Sequence, residues 1–245
     1  MYRRKEYTAK TYPSFGKKYN GEKAIISLTS WKARINTVSK TIFSLVKECP
    51  GFHIVLVLSQ EEFPKMCNEL PENLMFFVEE GMIELLWVYK NYKSLKKILF
   101  TMDKYRHVPI ISADDDCIYK FNYAEELYNE WLNNKDCFIT YWGKKCINAF
   151  NTAGYATLHP PYIYKNFVKF INLVDLKTFN EDDLLYLALR EKLKLYNCIN
   201  LNKSIKKVVI THDELSPLHD SYKNRKNEKV IDLLTKLMDA LYKFN

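Results

Sequence analysis

Two apolar rhythms alternate along the first half of this chain. Residues 23–29, 53–58, 82–88 and 108–111 are short apolar runs of strand length, set between polar or turn-forming stretches. Between the first two, Ile35, Val38, Ile42, Leu45 and Val46 recur with helical spacing, and the stripe closes near Cys49-Pro50-Gly51. Leu95, Ile98, Leu99 and Met102 mark another helix, which leads into the last of these strands. Strand and helix in alternation predict an α/β fold around a mainly parallel sheet.

Beyond residue 119 the pattern loosens. A helix is expected over 122–133, an extended piece over 137–142 and a short strand over 155–158, stopped by His159-Pro160-Pro161. A further helix is expected from Asn180-Glu181-Asp182-Asp183 to about Leu195, and a late strand over 206–211. Val230, Leu233, Leu234, Leu237, Met238 and Leu241 lie on one stripe of a final amphipathic helix. Most such helices serve their own core. Packing on its own domain is therefore the expectation here, with Lys226, Lys229, Lys236 and Lys243 left for weak attraction to an anionic surface. No repeat or linker demands a second domain. The expected organisation is one domain over 1–245: an arm (1–22), a first half (23–119), a second half (120–225) and the C-terminal helix (226–245).

Composition narrows the chemistry. With 6 glycines there is no G-x-G-x-x-G or G-x-x-x-x-G-K-[ST] cradle. The net charge of +8 favours anionic partners, but the lysines are scattered in the manner of a solvated surface, so no nucleic acid is expected. The 6 cysteines lie apart, without C-x-x-C or Cys/His metal spacing, as reduced thiols do. No apolar segment follows the basic start, and no run is long enough to span a bilayer. The expected location is cytoplasmic.

The candidate chemistry is at Asp114-Asp115-Asp116, where an apolar strand runs into three carboxylates. Unpaired charge is too costly to bury inside a strand. The three therefore belong at its carboxyl end, where open α/β sheets place ligand crevices. In extended backbone, side chains two apart point the same way. Asp114 and Asp116 would then converge on one hard cation, Mg2+ or Mn2+, while Asp115 faces elsewhere.

Several blocks in fixed order carry a resemblance. Ile25-Ile26-Ser27-Leu28-Thr29-Ser30-Trp31 with Arg34-Ile35, then Ser94-Leu95-Lys96-Lys97, then Asp114 to Tyr119 as Asp-Asp-Asp-x-x-Tyr, resemble bacterial glycosyltransferases with a GT-A fold. The segment from Thr152-Ala153-Gly154-Tyr155 to Pro160-Pro161 and the late Glu181-Asp182-Asp183 continue the series. The loop has Ala153 and Ala156 where members of that family often have more glycine.

The resemblance implies a GT-A-like single domain, with a Rossmann-like nucleotide-sugar half over 23–119 and a less regular acceptor half over 120–225. It implies transfer of a sugar from a nucleotide-diphosphate donor, UDP-sugar first among them, to a hydroxyl of a glycan or lipid-linked acceptor. The setting would be synthesis of a bacterial surface polysaccharide such as capsule or lipopolysaccharide, at the inner face of the plasma membrane. Asp116, with Asp114, would hold the metal, and Asp114 and Asp115 would meet the nucleotide. Thr29 and Arg34 would flank it, with Lys97 at the diphosphate. Lys96 and Lys97 stand about 100° apart on a helix, so one of them faces the crevice. Asp183 or Asp182 would take the acceptor's proton, although acidic residues behind Asn180 are also what a helix N-terminus favours. His219 or His212 would complete the metal site.

Two other classes compete. One is a non-catalytic nucleotide- or nucleic-acid-binding protein, against which three clustered carboxylates repel a phosphate backbone. The other is a metal-dependent phosphohydrolase or nucleotidyltransferase. A phosphoaspartate hydrolase wants an aspartate pair after the first strand, and Thr29-Ser30-Trp31 offers none.

Overall fold

The computed structural model describes residues 13–146, 149–152, 155–163, 182–201 and 208–210. The expected C-terminal helix and the first half of the arm lie outside these residues. The second half of the arm holds a strand that apolar periodicity did not announce, β1 (Ser14–Gly16). It is followed by β2 (Ile25–Thr29), α1 (Val38–Glu48), β3 (His53–Ser59), α2 (Glu72–Glu79), β4 (Glu84–Val88), α3 (Lys96–Lys104) and β5 (Ile110–Ser112). The parallel strands stand in the order β4-β3-β2-β5, with β1 antiparallel on the outer edge of β4. Gly16 permits that edge. A Cβ there would lie 2.4 Å from the Ile83 carbonyl oxygen, and its φ is +81°.

Side chains alternate across this parallel centre. Ile26, Leu28, Ile54, Leu56, Leu85 and Trp87 face one layer, packed with Val38, Ile42 and Leu45 of α1 and Leu74 and Phe77 of α2. Ile25, Val55, Val57, Leu86 and Val88 face the other, against Ile98, Leu99 and Met102 of α3. The strands are buried on both faces, which explains their near-continuous apolar runs. Each aliphatic side chain so buried contributes about 1.5–3 kcal/mol.

The second half extends the sheet through α4 (Tyr123–Asn133), β7 (Phe138–Thr140), β8 (Gly143–Cys146), β9 (Ala149–Thr152), β10 (Thr157–His159), α5 (Asp182–Lys192) and β11 (Cys198–Asn200). Strand β10 inserts antiparallel between β5 and β7, and β11 is parallel to β7. The expected mainly parallel sheet is thus the centre of a mixed eight-stranded one. Strands β8 and β9 form a separate hairpin. After β5 the chain turns into β6 (Cys117–Tyr119), which pairs antiparallel with β12 (Val208–Ile210). Leu185, Leu187 and Leu189 seat α5 on the α3 side of the sheet. No helix among the described residues is long and apolar enough to cross a membrane.

At the amino edge of the parallel strands, Glu84 is buried at 1% exposure. It bonds with His53 Nε2 at 2.7 Å and accepts from Lys104 Nζ and Tyr105 Oη. Burial alone would raise its carboxyl, but these partners outweigh burial and hold it down at about 2. Lys104 also donates to Ser14 Oγ at 2.9 Å, which ties β1 to α3.

Candidate active site

Strands β2 and β5 run side by side with Ser27 opposite Ser112, and their carboxyl ends open onto one crevice. The Ala113 N–H still reaches the Ser27 carbonyl at 2.9 Å. The chain then leaves the sheet, and Asp115 and Asp116 form the turn into β6. Asp115 and Asp116 are therefore in a turn, so the alternation of an extended strand does not carry through from Asp114 to Asp116. Their partners separate the three instead.

Asp115 points inward at 8% exposure, with both oxygens engaged. Ser30 Oγ donates to Oδ2 at 2.6 Å, and Arg34 Nη1 donates to Oδ1 at 2.8 Å. Thr41 Oγ1 fixes the Asp115 carbonyl at 2.9 Å. Burial raises the Asp115 carboxyl, opposed by Ser30 and Arg34. The same Arg34 Nη1 lies 3.0 Å from Asp116 Oδ2. Burial pulls the guanidinium down, but the facing Asp115 and Asp116 charges hold it above its ordinary value. The sequence marks Ser30 only by its place beside Thr29 in the first block.

Asp114 faces the opening, and Lys97 Nζ meets its Oδ1 at 2.5 Å. The Asp114 N–H donates to Tyr119 Oη at 2.8 Å, and that hydroxyl lies 3.2 Å from the Tyr155 carbonyl oxygen. The tyrosine of the Asp-Asp-Asp-x-x-Tyr block thus pins the loop. The side chains of Asp114 and Asp116 remain 34% and 23% exposed, so their oxygens are accessible while Asp115 is shut in.

Helical geometry sorts the two lysines. Lys97 reaches the aspartates, whereas Lys96, 1% exposed, reaches Asn91 Oδ1 at 2.7 Å. Burial lowers the Lys96 ammonium to about 8, with Glu62 pulling the other way. Asn91 also donates to Glu62 Oε2 at 3.2 Å, and its N–H reaches Glu61 Oε2 at 2.7 Å. This polar group follows β3 and β4 on the same carboxyl edge as the aspartates. Apart from Lys96, the sequence does not mark this group, since acids and amides in loops look like solvated surface.

Thr29 ends β2 in the crevice, but its hydroxyl donates to the Val57 carbonyl at 2.6 Å across the sheet. Asp182 and Asp183 are the first residues of α5, at its N-terminus. One turn later Tyr186 Oη donates to the Leu95 carbonyl at 3.4 Å, so α5 starts beside the end of α3 that carries Lys97. Glu181, His212 and His219 lie outside the described residues. Ile210 of β12 pairs with Cys117, the residue after Asp116.

Among the described residues no three His, Cys, Asp or Glu side chains converge as a metal-holding group. Asp114 and Asp116 supply accessible hard oxygens, while Asp115 does not. Two carboxylates suit a Mg2+ or Mn2+ ion that draws its remaining ligands from a diphosphate.

No family model matches this sequence, and no curated protein matches it. Among solved structures, the chain is similar to the glycosyltransferase GlyE of Streptococcus pneumoniae TIGR4, with a TM-score of 0.43 and 16% identity. That match covers 74% of this chain and 45% of GlyE, so the chain spans less than half of that protein's length. It is also similar to S. aureus TarS 1-349, with a TM-score of 0.48 and 9% identity over 91% of this chain and 72% of that one. Likenesses at this level decide nothing about chemistry. The side chains have to.

Proposed function

We propose that the chain is a metal-dependent glycosyltransferase that takes a sugar from a nucleotide-diphosphate donor, UDP-sugar first among them, and passes it to a hydroxyl acceptor. The observation that carries this reading is the charge pattern at the carboxyl ends of β2 and β5. Asp114 with Lys97, and Asp115 and Asp116 with Arg34, put accessible carboxylates and cations within one crevice. The ordered motif series in the sequence points to sugar transfer among the reactions that use such a crevice.

In this reading Asp116 and Asp114 would hold Mn2+ or Mg2+, which would supply positive charge against the diphosphate leaving group. Lys97 would then turn from Asp114 to phosphate oxygens, while Arg34, held on Asp115, would offer them its remaining N–H groups. Asp115, with both oxygens engaged, positions Arg34 and Ser30 rather than meeting the nucleotide. Asn91 and Glu62, backed by the buried Lys96, offer donors and acceptors for the rest of the nucleotide. The acceptor oxygen attacks the anomeric carbon, the bond to the diphosphate oxygen breaks, and the acceptor's proton passes to Asp183 or Asp182. His219 or His212 would be a further metal donor. The acceptor is a glycan or lipid-linked glycan, reached at the cytoplasmic face of the membrane.

A thermal-shift panel of UDP, GDP, CDP, ATP and oligonucleotides, each with and without Mn2+, tests this reading, since ligands of the native state raise its apparent stability. A shift for one nucleoside diphosphate that needs Mn2+ is expected. A shift for oligonucleotides alone would replace the enzyme with a nucleic-acid-binding protein.

A further inference from the structure

We infer that Trp142 is a platform for a sugar ring, so that the acceptor moiety seated in this crevice is a saccharide. The inference rests on the reading of the aspartate crevice as the donor site.

Register places Trp142 at the carboxyl edge of the sheet. Thr140 of β7 and Ser112 of β5 both pair with Thr157 of β10, and both strands are antiparallel to it. They therefore run the same way, and Trp142 and Asp114 each stand two residues beyond that common row. Two strand spacings separate the strands, or about 10 Å. Trp142 and Asp114 thus stand on the same carboxyl edge of the sheet, two strands apart.

Trp142 is 49% exposed, an unfavourable place for a large apolar ring unless something covers it. Its backbone is fixed. The Trp142 N–H donates to Thr140 Oγ1 at 3.3 Å, the same hydroxyl lies 2.7 Å from the Trp142 carbonyl oxygen, and Asn200 Nδ2 donates to the Gly143 carbonyl at 3.1 Å. An exposed ring on a pinned backbone loses little freedom on binding.

The chemistry is complementary as well. A pyranose has a face of C–H groups with hydroxyls around its rim, and the electron-rich face of an indole attracts C–H edges. The two sides of the crevice differ accordingly. Glu61, Glu62, Asn91 and Lys96 crowd the β3 and β4 side, which suits a nucleotide, whereas Trp142 stands on the β7 side.

The test uses the full chain with Mn2+ and UDP, and methyl glycosides of glucose, galactose and N-acetylglucosamine as probes. Binding is read by saturation-transfer NMR and tryptophan fluorescence. At least one glycoside should bind the wild type. Trp142→Ala should weaken it about threefold to tenfold, the worth of one aromatic contact. Trp142→Phe should recover most of the loss, and neither variant should change UDP affinity. If no glycoside bound, or if Trp142→Ala bound as the wild type does, the platform would be overturned. Failure of UDP to bind, beside a Trp142-dependent glycoside signal, would remove the donor assignment and support the saccharide platform.

Discussion

Arg34 Nη1 donates to Asp115 Oδ1 at 2.8 Å across 81 residues of sequence. The pair joins the turn before α1 to the turn after β5, and Ser30 closes it on the other oxygen. A buried ion pair adds little net stability when complete, but removing one partner strands the other charge. Arg34→Met should therefore lower the unfolding free energy by about 3–5 kcal/mol, read by urea denaturation. The double variant with Asp115→Asn should recover part of that loss. An additive double variant would mean that the two residues do not act as a pair.

Glu84 makes stability pH-dependent far from the crevice. Its folded carboxyl, at about 2, lies below the ordinary value of 4.5. A depressed carboxyl contributes stability above its unfolded value and loses it as pH falls towards the folded one. Its share, about 3 kcal/mol by conversion of the shift, should disappear between pH 4.5 and about 2. In Glu84→Gln the slope of stability against pH should flatten across that window, while UDP binding at neutral pH stays as in the wild type.

Much of the fold was readable because β2 to β5 are buried on both faces and the helices between them carry one-sided stripes. The parts that could not be read depend on partners distant in sequence. Ser14 to Gly16 is too short for a period, and it becomes a strand only because Gly16 fits against Ile83 and Val78. Cys117 to Tyr119 is a strand through residues 208–210. The aspartates were legible as a cluster at a strand's end. Their turn, and the inward set of Asp115, were not, because Ser30, Arg34 and Thr41 impose them from another segment. The lysine pair was half legible, since helical spacing says that one faces the crevice but not which.

The start of α5 gives a kinetic prediction. Asp182→Asn or Asp183→Asn should lower turnover while UDP affinity stays nearly constant, because a base acts in the transition state. A helix N-terminus also favours acidic residues. If both variants transferred sugar at the wild-type rate in single turnover, the pair would be a helix start and nothing more.

The most direct measurement is a calorimetric titration of UDP into the protein, in Mn2+ and in chelator. If Asp116 and Asp114 hold the ion while Lys97 turns to the phosphates, metal and nucleotide must strengthen each other reciprocally. UDP should bind at least about tenfold tighter with Mn2+, a coupling of about 1.4 kcal/mol, and Asp116→Ala should abolish that gain without unfolding the chain. Equal UDP affinity in Mn2+ and in chelator, unchanged by Asp116→Ala, would contradict the account.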